Sequence, residues 1–174
     1  LNHCRSVLEI GSGTGQHAVY FAAKLPQLVW QCSDLEENHA GIRQWLDEAA
    51  LPNTPAPLLL DVTLHDMSAL NFDAVYSANT IHIMCRDAVR SMIHGVGKVL
   101  PKGGLLILYG PFNYGNRYSS DSNARFDEWL KQRDPMRGIR NFEDVDKMAN
   151  DAQLKLHQDV AMPANNRIIS LRKY

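Results

Sequence analysis

Short apolar runs rich in β-branched residues alternate with longer amphipathic segments along the first two-thirds of the chain. The runs are typical of strands, and the almost continuous apolar character of the first and the last indicates strands covered on both faces, as in a parallel sheet. In the last amphipathic segment, Val89, Met92, Ile93 and Val96 recur at helical spacing. Strands are predicted at residues 6–10, 29–33, 57–61, 72–78 and 105–109, and helices at 17–25, 37–50 and 87–100.

The last third of the chain departs from this alternation. A polar stretch rich in Gly, Asn and Ser leads to two helical patterns and then to two strand-like runs, whose hairpin-sized separation predicts an antiparallel pair. Because strand and helix otherwise alternate, we predict a single α/β domain with a doubly wound, mostly parallel sheet. These helices are predicted around Phe126, Trp129 and Leu130 and at residues 142–152, and the strands at 155–161 and 167–171.

Length and composition restrict the possible partners. The 174 residues are enough for one domain, and a formal net charge of -1 provides no attraction to nucleic acid or to an anionic membrane, so neither is expected as a partner. No apolar run approaches the roughly 20 residues of a membrane span and no signal-peptide pattern is present, so we expect a cytoplasmic protein. Three scattered cysteines and seven histidines without a repeated spacing predict neither a disulfide framework nor a metal site.

Three glycines at alternate positions, Gly11, Gly13 and Gly15, follow the first predicted strand, and Glu9 precedes them. Glycine allows φ > 0 and leaves no Cβ in the way of a ligand, so this spacing predicts a tight strand-to-helix turn at a nucleotide cofactor. A dinucleotide fingerprint requires Gly-x-Gly-x-x-Gly, and here the third glycine comes one position early. The Glu9 carboxylate would repel a pyrophosphate and attract a cationic sulfonium. The loop therefore favours S-adenosylmethionine over a dinucleotide, with a structural turn that binds no ligand as the alternative.

Polar side chains follow the next three strands as well. Asp34 ends the second strand about 20 residues after the loop, where a carboxylate can accept both ribose hydroxyls, although a helix N-cap is the alternative. Asp61 and Val62 follow the third strand, where Asp61 can accept from an adenine amino group or serve as a turn aspartate. Because ligands bind at the carboxyl ends of the strands in open α/β sheets, these positions reinforce one another. The predicted cofactor residues are Glu9, Gly11, Ser12, Gly13, Gly15, Asp34, Leu35, Asp61, Val62 and Asn79.

Residues 9–15, 34, 61–62 and 100–104 resemble motifs of the class I, Rossmann-like S-adenosylmethionine-dependent methyltransferases. The resemblance implies the strand order 3-2-1-4-5-7-6 with the last strand antiparallel, and an Asn79 carbonyl near the methionine amino group. A narrower resemblance is to the DUF938 family, also called methyltransferase-like 26. Members of that family usually carry a further N-terminal helical segment that can fold over the cofactor, and we expect this chain to lack that part of the lid. The narrower resemblance involves residues 13–17, 79, 81–83, 109–112, 122–123, 126–127, 133–135 and 162–166.

Methyl transfer from a sulfonium requires alignment of the reactants and exclusion of water more than it requires a fixed set of catalytic residues. A general base helps where the acceptor is a hydroxyl or an amine, and His82 is the predicted base, with a histidine that only forms hydrogen bonds in a packed loop as the alternative. The segment after the fifth strand reaches the same edge of the sheet. An acceptor pocket, or alternatively a solvated loop, is predicted at Tyr109, Asn113, Tyr114 and Tyr118.

We therefore predict an enzyme, an S-adenosylmethionine-dependent methyltransferase that acts on an unidentified small-molecule acceptor. A sensor or scaffold that binds S-adenosylmethionine without transferring its methyl group is a second hypothesis, because such a protein would share the glycine loop. An NAD-dependent oxidoreductase is a third, against which the glycine spacing and Glu9 argue.

Overall fold

A computed structural model describes residues 3–174, and residues 1 and 2, with which the predicted domain begins, lie outside the described part. Its strands are β1 (Ser6–Ile10), β2 (Val29–Asp34), β3 (Leu58–Leu59), β4 (Ala74–Ala78), β5 (Leu105–Gly110), β6 (Leu154–Met162) and β7 (Asn166–Lys173). They form one sheet in the order β3-β2-β1-β4-β5-β7-β6. β7 is antiparallel to both of its neighbours and the other pairs are parallel. The predicted doubly wound sheet, its strand order and its antiparallel strand are confirmed.

The helices of the described part are α1 (Gln16–Lys24), α2 (Glu36–Ala49), α3 (Thr80–Ile83), α4 (Arg86–Val99), α5 (Asp121–Arg133) and α6 (Phe142–Asp151). Where bounds were predicted from the sequence, these helices begin and end within one residue of them. The sequence analysis does not predict α3, because four residues are too few to show a helical period.

β3 is shorter than the strand predicted at residues 57–61. Only Leu58 and Leu59 pair with β2. Pro57 has no backbone N–H to donate, and the Asp61 carboxylate accepts hydrogen bonds from both the amide and the hydroxyl of Thr63, at 2.8 and 2.6 Å. The prediction of a five-residue strand is therefore wrong, because an Asp-centred turn takes over after two paired residues.

Helices cover both faces of the sheet and leave the carboxyl ends of its parallel strands accessible. The apolar stripe of α4 is buried, with Val89, Met92, Ile93 and Val96 at most 1% exposed. Each helix that follows a parallel strand returns the chain to the opposite end of the sheet, so the carboxyl ends of β1, β2, β3 and β4 meet at the same edge. Among residues 3–174, no helix has both the length and the apolar character that crossing a membrane requires.

Candidate functional site

The turn between β1 and α1 is held against the neighbouring strands. Gly11 and Ser12 donate their backbone N–H groups to the Ser33 carbonyl, at 3.0 and 3.1 Å. Gly11 has a φ of 74°, and a Cβ at this position would lie 2.4 Å from side-chain atoms of Thr80, so only glycine fits here. At Gly13, by contrast, a Cβ would meet no atom within 4 Å. The turn therefore presents an open backbone surface beside the start of α1, where helix amides favour a polar ligand.

Glu9, near the end of β1, is only 1% exposed. Its Oε2 accepts a hydrogen bond from the indole nitrogen of Trp30 at 2.9 Å, whereas its Oε1 has no hydrogen-bond partner among residues 3–174. The nearest cationic candidate is His17, whose Nδ1 lies 3.7 Å from Oε1. Burial raises the pKa of Glu9 to about 7. An unpaired buried carboxyl oxygen is costly, so this site is suited to a positively charged group brought by a ligand.

Asp34 joins the glycine turn to α2. Its Oδ2 accepts a hydrogen bond from the Gly13 amide at 2.7 Å, and its Oδ1 accepts from the Leu35 amide and from the Asn38 side chain, both at 2.8 Å. The N-cap of α2 is Leu35, so Asp34 does not occupy the capping position that the alternative interpretation required. The carboxylate is thus fixed in orientation at the end of β2, beside the turn.

A groove of about 370 Å³ opens along the carboxyl ends of β1 to β4. This volume lies within the usual range for small-molecule sites, roughly 300–1,000 Å³. Apolar side chains from three segments line the groove, including Leu35 after β2, Val62 after β3 and Ile83 of α3. The predicted cofactor residues that line this groove are Gly11, Asp34, Leu35, Asp61 and Val62.

The other predicted cofactor residues lie at the side of this groove. Glu9, Ser12, Gly13 and Gly15 belong to β1 and its turn, with the Ser12 side chain accepting a hydrogen bond from the Ser33 amide. Asn79 follows β4, has a φ of 58° and lines a second groove instead. All the predicted cofactor residues therefore lie at the carboxyl ends of the strands, although only some of them line the first groove.

Several residues that line the first groove are absent from the sequence prediction. Thr80, Ile83 and Met84 come from α3 and its end, and Arg137 comes from the loop before α6. The position of Thr80, Ile83 and Met84 directly after β4 is the sequence signal that could have indicated their place in the groove. Nothing in the local sequence indicates that Arg137, more than 50 positions later, reaches the same groove.

The second groove, of about 510 Å³, lies beyond Ile83, which contributes to both grooves. One wall comes from α5 and carries Phe126, Trp129 and Leu130. The facing residues follow β4, β5 and β6. They are Asn79, Ile83, Pro111, Ala164, Asn165 and Asn166, and Ser122 and Asn123 complete the lining.

The four residues predicted to form the acceptor pocket do not line this groove, and one of them, Tyr109, is hydrogen-bonded to the lining residue Asn166. The side chains of three of them are hydrogen-bonded to other side chains, and Asn113 is buried with its amide and carbonyl bonded to Arg140 and Phe142. An acceptor pocket at these four residues stays a prediction. The tyrosine bonds are Tyr114 to Asp159 at 2.8 Å, Tyr118 to Asp127 at 2.6 Å and Tyr109, as acceptor, with Asn166 at 3.1 Å.

His82 of α3 is fully buried, and neither of its ring nitrogens has a hydrogen-bond partner in residues 3–174. Burial, together with the charge of Arg140, lowers the pKa of His82 to about 3, so the ring is neutral at pH 7. The ring packs edge-on against Phe112 and faces Gly110, where a Cβ would lie 2.6 Å from Nε2. The structure therefore does not contain the hydrogen bonds that the structural alternative for His82 required. The role of general base stays a prediction.

Comparison with known families gives one match over almost the whole chain. The model of a family described as "Protein of unknown function (DUF938)" matches residues 1–173. This is the family whose motifs the sequence resembles, and its description assigns no activity.

Many solved structures share the fold. An O-methyltransferase family protein from Burkholderia thailandensis has a TM-score of 0.88 at 15% identity, with 99% of this chain and 52% of that chain covered. An O-methyltransferase family 2 protein from Planctomyces limnophilus, in complex with apigenin, has a TM-score of 0.85 at 16% identity over 98% of this chain and 51% of its own. PigF with SAH has a TM-score of 0.80 at 16% identity over 99% and 51%. The chain thus spans about half the length of these structures.

Proposed function

This chain belongs to the DUF938 family, and we propose that it is a methyltransferase that binds S-adenosylmethionine in the first groove and methylates a small molecule. The observation that carries the proposal is the Glu9 carboxyl, which is buried beside an open glycine turn with one oxygen that accepts no hydrogen bond from the described residues. A dinucleotide would bring negative charge to this point, whereas S-adenosylmethionine brings a sulfonium and an ammonium group.

The rest of the first groove fits the other parts of S-adenosylmethionine. Asp34 is held at the end of β2, where a carboxylate can accept hydrogen bonds from ribose hydroxyls. The apolar walls that Leu35, Val62 and Ile83 provide suit a planar base, and the Asp61 carboxylate lies beside them as an acceptor for an amino group. The likeness to O-methyltransferase structures and to the structure of PigF with SAH supports the same cofactor.

When bound, S-adenosylmethionine would supply an electrophilic methyl carbon. The acceptor would form a bond to this carbon while the carbon–sulfur bond breaks and leaves its electron pair on sulfur, which gives S-adenosylhomocysteine. The acceptor's proton would pass to solvent or to a base. The protein's residues then have three tasks. Glu9 and Asp34 bind and orient, the apolar walls exclude water, and His82 is the proposed base if the acceptor must lose a proton.

Turnover distinguishes this proposal from a sensor or scaffold that only binds the cofactor. The protein is incubated with S-adenosylmethionine and fractions of a metabolite extract, and released S-adenosylhomocysteine is measured. We expect release with at least one fraction, above the level without extract, and loss of this release in Asp34→Ala. Binding of S-adenosylmethionine without release from any fraction would favour the sensor and contradict the enzyme.

A further inference from the structure

The second groove has an aromatic wall that the rest of the protein leaves uncovered. Phe126 and Trp129 are stacked, with ring centroids 5.8 Å apart, and are 36% and 46% exposed. Arg133 lies on Trp129 with its guanidinium carbon 3.5 Å from the ring centroid, so it holds the indole in place. Phe126 and Trp129 of α5 therefore present a pre-arranged aromatic surface, which suits a flat, apolar ligand.

Of the residues 3–174 that line this groove, none is charged. Its polar groups are the side chains of four asparagines and one serine, which are neutral hydrogen-bond donors and acceptors. Those of Asn123, Asn165 and Asn166 already form hydrogen bonds within the protein. The side-chain amide of Asn79 forms no hydrogen bond with any residue that the structure describes, which leaves it available to a ligand, whereas its backbone N–H donates to the Tyr109 carbonyl at 2.8 Å. A charged ligand would lose its hydration here without gaining a countercharge.

The location of the groove connects it with the proposed reaction. Ile83 lines both grooves, and Asn79 and Thr80, which are adjacent in the chain, line one groove each. Pro111 follows β5, so the second groove opens at the same carboxyl edge of the sheet as the glycine turn. A molecule in the second groove would thus lie across the α3 turn from a cofactor in the first.

We propose that the second groove binds the methyl acceptor, and that the acceptor is a planar, uncharged aromatic molecule with a polar substituent near Asn79. This inference rests on the proposed function. The aromatic part packs on Phe126 and Trp129, and the amide of Asn79 hydrogen-bonds to the substituent. The concave shape and the volume of about 510 Å³ match a small molecule, whereas a stable protein interface needs roughly 800 Å² from each partner.

Two probes with the same rings but different charge test the proposal by calorimetry. 2-Naphthol is an uncharged bicyclic phenol at pH 7, and 2-naphthoate carries a carboxylate in its place. Both are titrated into the protein saturated with S-adenosylhomocysteine. We expect 2-naphthol to bind with a Kd below about 1 mM and 2-naphthoate at least about tenfold more weakly, because none of the described residues that line the groove is charged and the Arg133 guanidinium lies on the Trp129 ring.

Substitutions locate the binding. Trp129→Ala and, independently, Phe126→Ala should each weaken 2-naphthol binding by about tenfold through loss of aromatic contact. Trp45→Ala is the matched control, because Trp45 is 39% exposed on α2 and lies outside the groove. This variant should bind 2-naphthol as tightly as the unaltered protein does. Affinity for S-adenosylhomocysteine should be the same in all of these proteins, which shows that they are folded.

Several results would overturn the inference. They are equal affinity for the two probes, unchanged 2-naphthol binding in both aromatic variants, and a dimer that Trp129→Ala dissociates in light scattering, since the aromatic wall would then contact a second copy. Binding of S-adenosylhomocysteine without binding of 2-naphthol also overturns it and leaves the proposed function standing. Failure to bind S-adenosylhomocysteine contradicts the proposed function itself.

Discussion

At the scale of single residues, Glu9 shows how the site differs from the core around it. The neighbouring β1 residues are apolar and buried, so a carboxyl among them is desolvated, and within residues 3–174 only one of its oxygens is hydrogen-bonded. Such a group opposes folding when it is ionised, and a structural role alone gives no reason for it. A cationic ligand would supply the missing interaction. Stability and ligand binding are therefore linked at this residue.

Glu9→Gln should change how stability depends on pH. The folded-state pKa of Glu9, about 7, lies above its ordinary value of 4.5, so folding favours the protonated form. Ionisation of Glu9 therefore lowers the free energy of unfolding. This loss of stability is absent below pH 4.5, grows as the pH rises and is complete above pH 7, where it amounts to about 3 kcal/mol. In urea unfolding without cofactor, Glu9→Gln should therefore become more stable than the unaltered protein as the pH rises from 4.5 to 8. A difference that stays constant over this range would contradict the assignment.

His82→Ala tests the proposed base. Because the pKa of His82 is lowered to about 3, the ring is already deprotonated at pH 7 and can accept a proton, although a base this weak gives a modest rate effect. We expect lower turnover, nearly unchanged affinity for S-adenosylhomocysteine, and no inflection from this residue near pH 6.5 in the rate profile of the unaltered protein. Unchanged turnover in the variant would refute the base role.

At the scale of elements, local pattern predicts what depends on local residues. α4 is predicted within one residue at each end because its buried positions recur at helical spacing over 14 residues. β1 is predicted with its observed bounds, since it is a buried central strand. The strand order came from the resemblance to a family, because apolar pattern contains no information about which strands are neighbours. The glycine turn and Asp34 can be predicted from the sequence because these residues stand at fixed positions relative to the end of a strand.

Features that depend on tertiary contacts could not be predicted in this way. α3 has four residues, and a distant loop contacts it. The Arg140 side chain donates hydrogen bonds to the carbonyls of Ile81 and Met84, and the Gly138 amide donates to the carbonyl of His82. These bonds span more than 50 positions of the chain. Local sequence therefore gives no indication that residues 136–140 shape the first groove.

Arg140→Met tests whether this loop positions α3. The variant removes donors from two partly buried carbonyls, so α3 should loosen and the affinity for S-adenosylhomocysteine should fall by about tenfold, which corresponds to the net value of one or two such bonds. Amide hydrogen exchange should accelerate at residues 80–85. Arg86→Met is the matched control, because Arg86 is an exposed residue paired with Asp144, and its affinity should not change. Slow exchange and full affinity in Arg140→Met would show that α3 holds its position alone.

At the scale of the whole molecule, both grooves lie along one edge of a single sheet and share Ile83. The aromatic wall of the second groove comes from α5, after the last parallel strand, while the glycine turn comes from the first. The order of strands brings these distant segments together, with β1, β4 and β5 as neighbours. The fold shared with O-methyltransferases therefore provides the edge, and the residues on it determine the ligands.

Titration calorimetry with S-adenosylhomocysteine tests the central claim, that the glycine turn with Glu9 and Asp34 forms an S-adenosylmethionine site. We expect binding in the micromolar range, and a loss of about 1–3 kcal/mol in Asp34→Ala, the value of charge-assisted hydrogen bonds. Asp47→Ala, which removes an exposed carboxylate of α2, is the control and should bind normally. A folded protein that binds NAD, but neither S-adenosylmethionine nor S-adenosylhomocysteine, would contradict the claim.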